Sequence, residues 1–212
     1  MSHTLLALVL TLGAEDDLAG VLKTVTTAEG YAFALKDGAG AEVVGTYRKG
    51  LPAHFVADRI EFFRQGDVLV YRQGDAWQRT RTGRLSDPLP ILGASAKVKA
   101  ARLPHEELGE VSAGATDVRK TTDKDGTVYT GFLPMRVAGA LARTEDRDLA
   151  QGGTITVRVD AKGRVTSYDV LIKVKGRRGD ADVDGTVTRT VTLKDLGTAK
   201  IEVPAAAKKA LE

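Results

Sequence analysis

The chain has 212 residues, room for one large β-domain or two small ones, and a chain of this length buries roughly 70% of its unfolded surface, enough for a core without staples. Cysteine is absent, which excludes disulfides, thiolate metal sites and cysteine nucleophiles. Lys and Arg number 31 against 28 Asp and Glu, a net charge of +3 with the two signs interspersed, and this is not the electropositive stripe of a nucleic-acid binder.

The first residues, MSHTLLALVLTLGA, hold an apolar run from Leu5 to Leu12 followed by Gly13 and Ala14. The run falls short of the roughly 20 apolar residues that span a bilayer. It reads as a secretion signal over residues 1–14, with cleavage near Gly13 or Ala14, and residues 15–212 read as one domain. The expected location is periplasmic or secreted. Without a cysteine after the run, a lipid anchor at that point is excluded.

Glu15 to Glu29 opens with acidic residues and repeats Leu18, Val21, Leu22 and Val25 at helical spacing. Acidic groups favour the positive end of a helix dipole, so a short amphipathic helix ending at Gly30 is expected. Tyr31, Phe33 and Leu35 then alternate with small or polar residues before the DGAG turn at Asp37. Strands follow at 42–48, 52–58, 59–65 and 67–73, and Ala76 to Arg81 pairs back after the Gly74-Asp75 turn. Antiparallel strands joined by short glycine turns make a meander, with one face buried and one wet.

Asp87 to Ala113 is rich in Ala, Leu and charged residues, which favour helix. Asp87 with Pro88 is the expected start of one helix, and Pro104, ahead of His105, Glu106 and Glu107, the start of another. Strands resume at 116–122 and 126–133. Pro134 to Leu149 is expected to form a helix, or a helix and loop. In Thr154 to Asp160, Ile155, Val157 and Val159 share one face, and Tyr168, Val170, Ile172 and Val174 alternate in the returning strand. Val187, Val191 and Leu193 alternate again, while Arg189 breaks that set and is expected near a rim. A short piece at 200–203 and a terminal helix from Pro204 close the chain.

The motifs carry little chemistry. Asp180 to Gly185 matches the first half of a calcium loop, but the twelfth position is Val191 where a bidentate glutamate is needed. This reads as a polar hairpin turn. His3, His54 and His105 have no partners at metal spacing, and no serine sits in a G-x-S-x-G setting. Glu106 with Glu107 reads as a solvated helix face. Arg72, Arg79, Arg81 and Arg84 flank Trp77, and Lys173, Lys175, Arg177 and Arg178 approach a hairpin end. Both read as solvated faces, with anionic lipid headgroups the next choice and no nucleic acid expected. No catalytic residue, metal or cofactor is expected. Leu89, Ile91, Leu92, Leu133 and Met135 lie at junctions between strand and helix. They are ordinary core if packed in full and the lining of an apolar pocket if not.

The order of elements, with Gly153 to Val159, Asp160 to Arg164 and Val191 to Pro204 (VTLKDLGTAKIEVP), resembles the LolA/LppX-like family of periplasmic lipoprotein carriers. The resemblance implies a mainly β (α+β) fold in which a strongly curved antiparallel sheet forms an incomplete barrel around inserted helices. The segments around 87–113 and 134–149 would be its helical lid. It implies a soluble, monomeric, non-enzymatic envelope protein that binds a lipid, acyl chain or lipoprotein as carrier or sensor. Peripheral membrane contact and an envelope protein partner are compatible with it. The candidate ligand contacts are Phe33, Phe62, Leu69, Tyr71, Trp77, Leu89, Ile91, Leu92, Phe132, Leu133 and Met135. The competing expectation is a non-catalytic envelope scaffold of the same fold with a filled core.

Overall fold

The computed structural model describes residues 13–38, 40, 42–80, 89–142 and 144–212, without the side chains of 89, 90, 144 and 145. The expected leader and the start of the 87–113 segment therefore lie largely outside the described residues. Helix α1 (Ala14–Thr26) has Glu15, Asp16 and Asp17 in its first turn and buries Leu18, Leu22 and Val25. It stops short of the expected Gly30. The β-branched run from Thr24 to Thr27 loses rotamer freedom in a helix, and the Thr27 hydroxyl donates to the Lys23 carbonyl (2.7 Å), closing the last turn.

Six strands follow: β1 (Gly30–Asp37), β2 (Glu42–Arg48), β3 (Ala53–Ala57), β4 (Ile60–Gln65), β5 (Val68–Gln73) and β6 (Ala76–Arg79). Helices α2 (Leu89–Ala100) and α3 (Pro104–Ser112) come next, then β7 (Thr116–Asp123), β8 (Gly126–Leu133) and α4 (Met135–Leu141). A 3₁₀ turn (Thr144–Leu149) leads into β9 (Ala150–Asp160), β10 (Val165–Arg178), β11 (Ala181–Lys194) and α5 (Ala205–Leu211).

The eleven strands of the described residues join one antiparallel sheet in the order β6-β5-β4-β3-β2-β1-β11-β10-β9-β8-β7. Two meanders are fused where β1 pairs with β11, with Phe33 opposite Leu193 and Leu35 opposite Val191. The sheet is curved and stays open, because β6 and β7 end it without pairing to each other. Its inner face carries Tyr31, Phe33, Leu35, Phe55, Phe62, Leu69 and Tyr71 from the first meander. Ile155, Val157, Tyr168, Val170, Ile172, Val191 and Leu193 come from the second, and α1 to α4 join the same core. Gly45 is needed in β2, since a Cβ there would lie 2.4 Å from the Phe33 ring. Without it Phe33 could not reach its edge-to-face contact with Phe55, 5.8 Å between centroids.

The expected piece at 200–203 is not a strand. Both flanks of β1 are occupied, so the chain after β11 turns across the end of β1, where Gly197 donates to the Gly30 carbonyl (2.7 Å). It continues onto the outer face. There Val203, Ala207 and Leu211 pack with Phe63 and Val70, and Trp77 packs against them.

Candidate ligand-binding cavity

Helix α3 brings the most unusual group into the interior. Pro104 stands at its first positions and Glu106 folds back to accept from the Leu103 N–H (3.0 Å), a capping arrangement. One residue further, Glu107 points inward and is 0% exposed. This corrects the reading of Glu106 and Glu107 as a solvated face, since Glu106 alone faces solvent. The Tyr168 hydroxyl of β10 donates to Glu107 Oε2 (2.7 Å), and Arg189 Nη2 of β11 stands 2.7 Å from Glu107 Oε1.

Arg189 also corrects its expected place. It is not at a rim: it lies in the inward row between Val187 and Val191, with its side chain 13% exposed, and it donates to the Leu141 carbonyl at the end of α4 (3.1 Å). A cation in an apolar row requires a buried counter-charge, and Glu107 supplies it. Arg189 Nε is buried without a hydrogen-bond partner among the described residues. Burial pushes the Glu107 carboxyl above its ordinary range, against the opposing pull of Arg189, the Tyr168 hydrogen bond and Arg102. Burial and then the Glu107 charge hold the Tyr168 phenol well above its ordinary range.

Two further contacts hold the helices to the sheet. Tyr31 Oη lies 2.6 Å from His105 Nδ1 and accepts from the His105 backbone N–H, while the Tyr47 ring packs on the imidazole. Burial holds His105 below its ordinary pKa, with Glu106 opposing. Arg64 of β4 donates to the carbonyls of Val98 (2.9 Å) and Ala101 (2.7 Å) at the end of α2, satisfying acceptors a helix C-terminus leaves open. Its guanidinium lies over the Phe55 ring.

Between these anchors the packing is incomplete. A cavity of about 680 Å³ separates the inner face of the central strands from α2 and α4. Its floor is Leu35, Val43, Val170, Ile172 and Val187, and its roof is largely alanine: Ala96, Ala100, Ala101, Ala140 and Ala142. Asp37, Lys97, Lys99, Arg102, Arg147, Thr188 and Arg189 supply the polar lining. The volume lies within the range of pockets that hold small molecules.

The ten candidate ligand contacts with described side chains lie elsewhere. Phe33, Phe62, Leu69, Tyr71, Ile91 and Leu133 are buried in the main core, and Leu92 is half-buried on α2. Trp77 is on the outer face with Phe63 and Val70. Phe132 and Met135 are 44% and 58% exposed, and the Leu89 side chain is outside the described residues. Large apolar residues fill space, so they sit where the core is tight; the cavity opens where the helices present alanine. The sequence signal for it was the run GASAKVKAAR at 93–102 together with AGALA at 138–142.

The calcium-like stretch is a hairpin arm, in which Asp182 and Asp184 face Arg177 and Lys175 across the strands. No helix of the described residues is long and apolar enough to cross a membrane.

No protein-family model matches the chain, and no curated protein is significantly similar in sequence. Solved structures are similar. The Mycobacterium tuberculosis lipoprotein LppX superposes with a TM-score of 0.56 at 14% identity, over 89% of this chain and 97% of that one. LprF from Mycobacterium bovis gives a TM-score of 0.58 at 11% identity, over 92% of this chain and 97% of that one. The fold is LolA/LppX-like. At such identity the likeness is one of backbone architecture.

Proposed function

We propose that this protein binds the apolar portion of a lipid in the cavity under α2 and α4 and acts as its carrier or sensor in the cell envelope. The observation that supports this most is the roof of alanines over an apolar floor, with about 680 Å³ left between them. A filled core would carry Leu or Ile at those helix positions, as α1 does at Leu18 and Leu22. Each methylene moved from water into such a space contributes about 0.8 kcal/mol, so ten supply about 8 kcal/mol, enough to offset loosening a short helix. In this reading α2 and α4 are the lid. The LppX-like fold and the apolar N-terminal run support an exported, carrier-type role. The competing scaffold reading has no place for an acyl chain.

The test is displacement of a fluorescent fatty acid from the full chain, with native mass spectrometry of the protein as purified. Binding is expected, and Ala140→Phe, which places a ring in the cavity, is expected to abolish most of it while thermal unfolding changes little. If the unaltered protein binds no acyl probe and releases no lipid into organic solvent, the proposal is overturned.

A further inference from the structure

The charge around the cavity goes beyond what acyl binding requires. Among the described residues five cations line it, Lys97, Lys99, Arg102, Arg147 and Arg189, against one carboxylate, Asp37, in a chain whose opposite charges nearly balance. Two of the five are answered locally: Lys97 bonds Asp58 (2.7 Å), and Arg189 faces Glu107. Lys99 and Arg147 make no ion pair with any described residue, and Arg102, whose Nη1 donates to the Ala140 carbonyl, acts on the Glu107 carboxylate without an ion-pair contact among the described residues. Lysine in the last turn of α2 complements that helix's negative end, which accounts for Lys97 and Lys99. It does not account for Arg102, beyond the helix, or for Arg147, on the 3₁₀ turn that follows α4.

We propose that the ligand is an anionic amphiphile, its carboxylate or phosphate held at the cavity mouth by Lys99, Arg102 and Arg147 while its chain lies on the apolar floor. This rests on the lipid-binding reading above. Lys99 and Arg102 come from the α2 side and Arg147 from the α4 side, so a headgroup between them would tie the two halves of the lid together. Cations beside low-dielectric walls attract an anion more strongly than the same charges in water. Arginine adds paired, charge-assisted hydrogen bonds that suit carboxylate and phosphate.

The experiment is competition at low salt, on the full chain, between three amphiphiles of one chain length: a fatty acid, a monoacyl glycerol phosphate and the neutral monoacylglycerol. Inorganic phosphate alone is the fourth arm. The two anionic compounds are expected to displace the probe at concentrations about tenfold or more below the neutral one, the scale that one charge-assisted hydrogen bond supplies. The double variant Lys99→Gln, Arg147→Gln is expected to remove most of that preference, and added salt to weaken it. Equal displacement by all three amphiphiles overturns the headgroup assignment and leaves lipid binding standing. Displacement by none overturns both. A thermal shift with inorganic phosphate, without any anionic preference among the amphiphiles, assigns the cations to a free anion and also overturns the headgroup assignment.

Discussion

β4 and β5 bury side chains on both faces, and the two faces are built on different terms. On the outer face Phe63, Val70 and Trp77 meet Val203, Ala207 and Leu211 of the α5 region in a small apolar cluster. On the inner face the sheet meets four helices but keeps a cavity, a buried carboxylate and an inward arginine. The outer cluster needs only apolar area, and such a contact fills itself. The inner face holds charges whose burial requires fixed partners, and it presents alanine where a tight core would present leucine. The difference marks the inner face as the one shaped for something other than packing.

The sharpest way to break this comparison is to remove the buried charge. Glu107→Ala leaves Arg189 buried without its counter-ion and is expected to cost about 3–5 kcal/mol in urea unfolding, whereas Glu107→Leu with Arg189→Leu recovers most of the loss. If Glu107→Ala costs under about 1 kcal/mol, the figure for an exposed pair, Glu107 is not the counter-charge that holds Arg189 in the interior. A second comparison contrasts the two faces in volume. Val70→Phe on the outer face forces a ring into a filled contact and is expected to cost about 1–3 kcal/mol. Val187→Phe enters the cavity and is expected to cost less than Val70→Phe while reducing acyl-probe binding. Equal costs would mean that both faces are filled.

The smallest effect is that of pH. Burial lowers the pKa of His105 in the folded chain below its ordinary 6.5, so the folded state takes up a proton less readily than the unfolded one. The stability held there is present above pH 6.5 and is lost as pH falls through the lowered folded value. Glu107 acts with the opposite sign. Its pKa is raised on folding from 4.5, so its burial penalty is relieved as pH falls through the raised value. His105→Gln is expected to flatten the loss of stability between about pH 7 and about pH 5, read as the urea midpoint at each pH. An unchanged profile would remove His105 from the attachment of α3.

Much of the sheet was legible because its rules are local. Alternation at 154–160 and 164–175 sets a face, and short glycine turns set antiparallel neighbours, so most strands and their neighbours within each meander followed from pattern and turn chemistry, whereas the β1–β11 pairing that fuses the meanders did not. The faces of β4 were less legible. Phe62 and Phe63 are adjacent and both buried, because α5 returns from the far end of the chain to cover the second one. Trp77 went to that outer face for the same reason. Arg189 was visible as a break in an apolar row, but its partner Glu107 lies on a helix whose first turn favours acids for local reasons, so nothing near either residue named the other.

The sequence by itself determined two antiparallel meanders interrupted by helices, because periodicity, capping and turns act over a few residues at a time. Only the tertiary structure decided that the sheet stays open, that Glu107, Tyr168 and Arg189 meet, and that alanines from two helices roof an apolar strand face with space left between. Those outcomes depend on how segments tens of residues apart share one volume: the alanine runs and the break at Arg189 are local marks, but local pattern does not say what either of them meets.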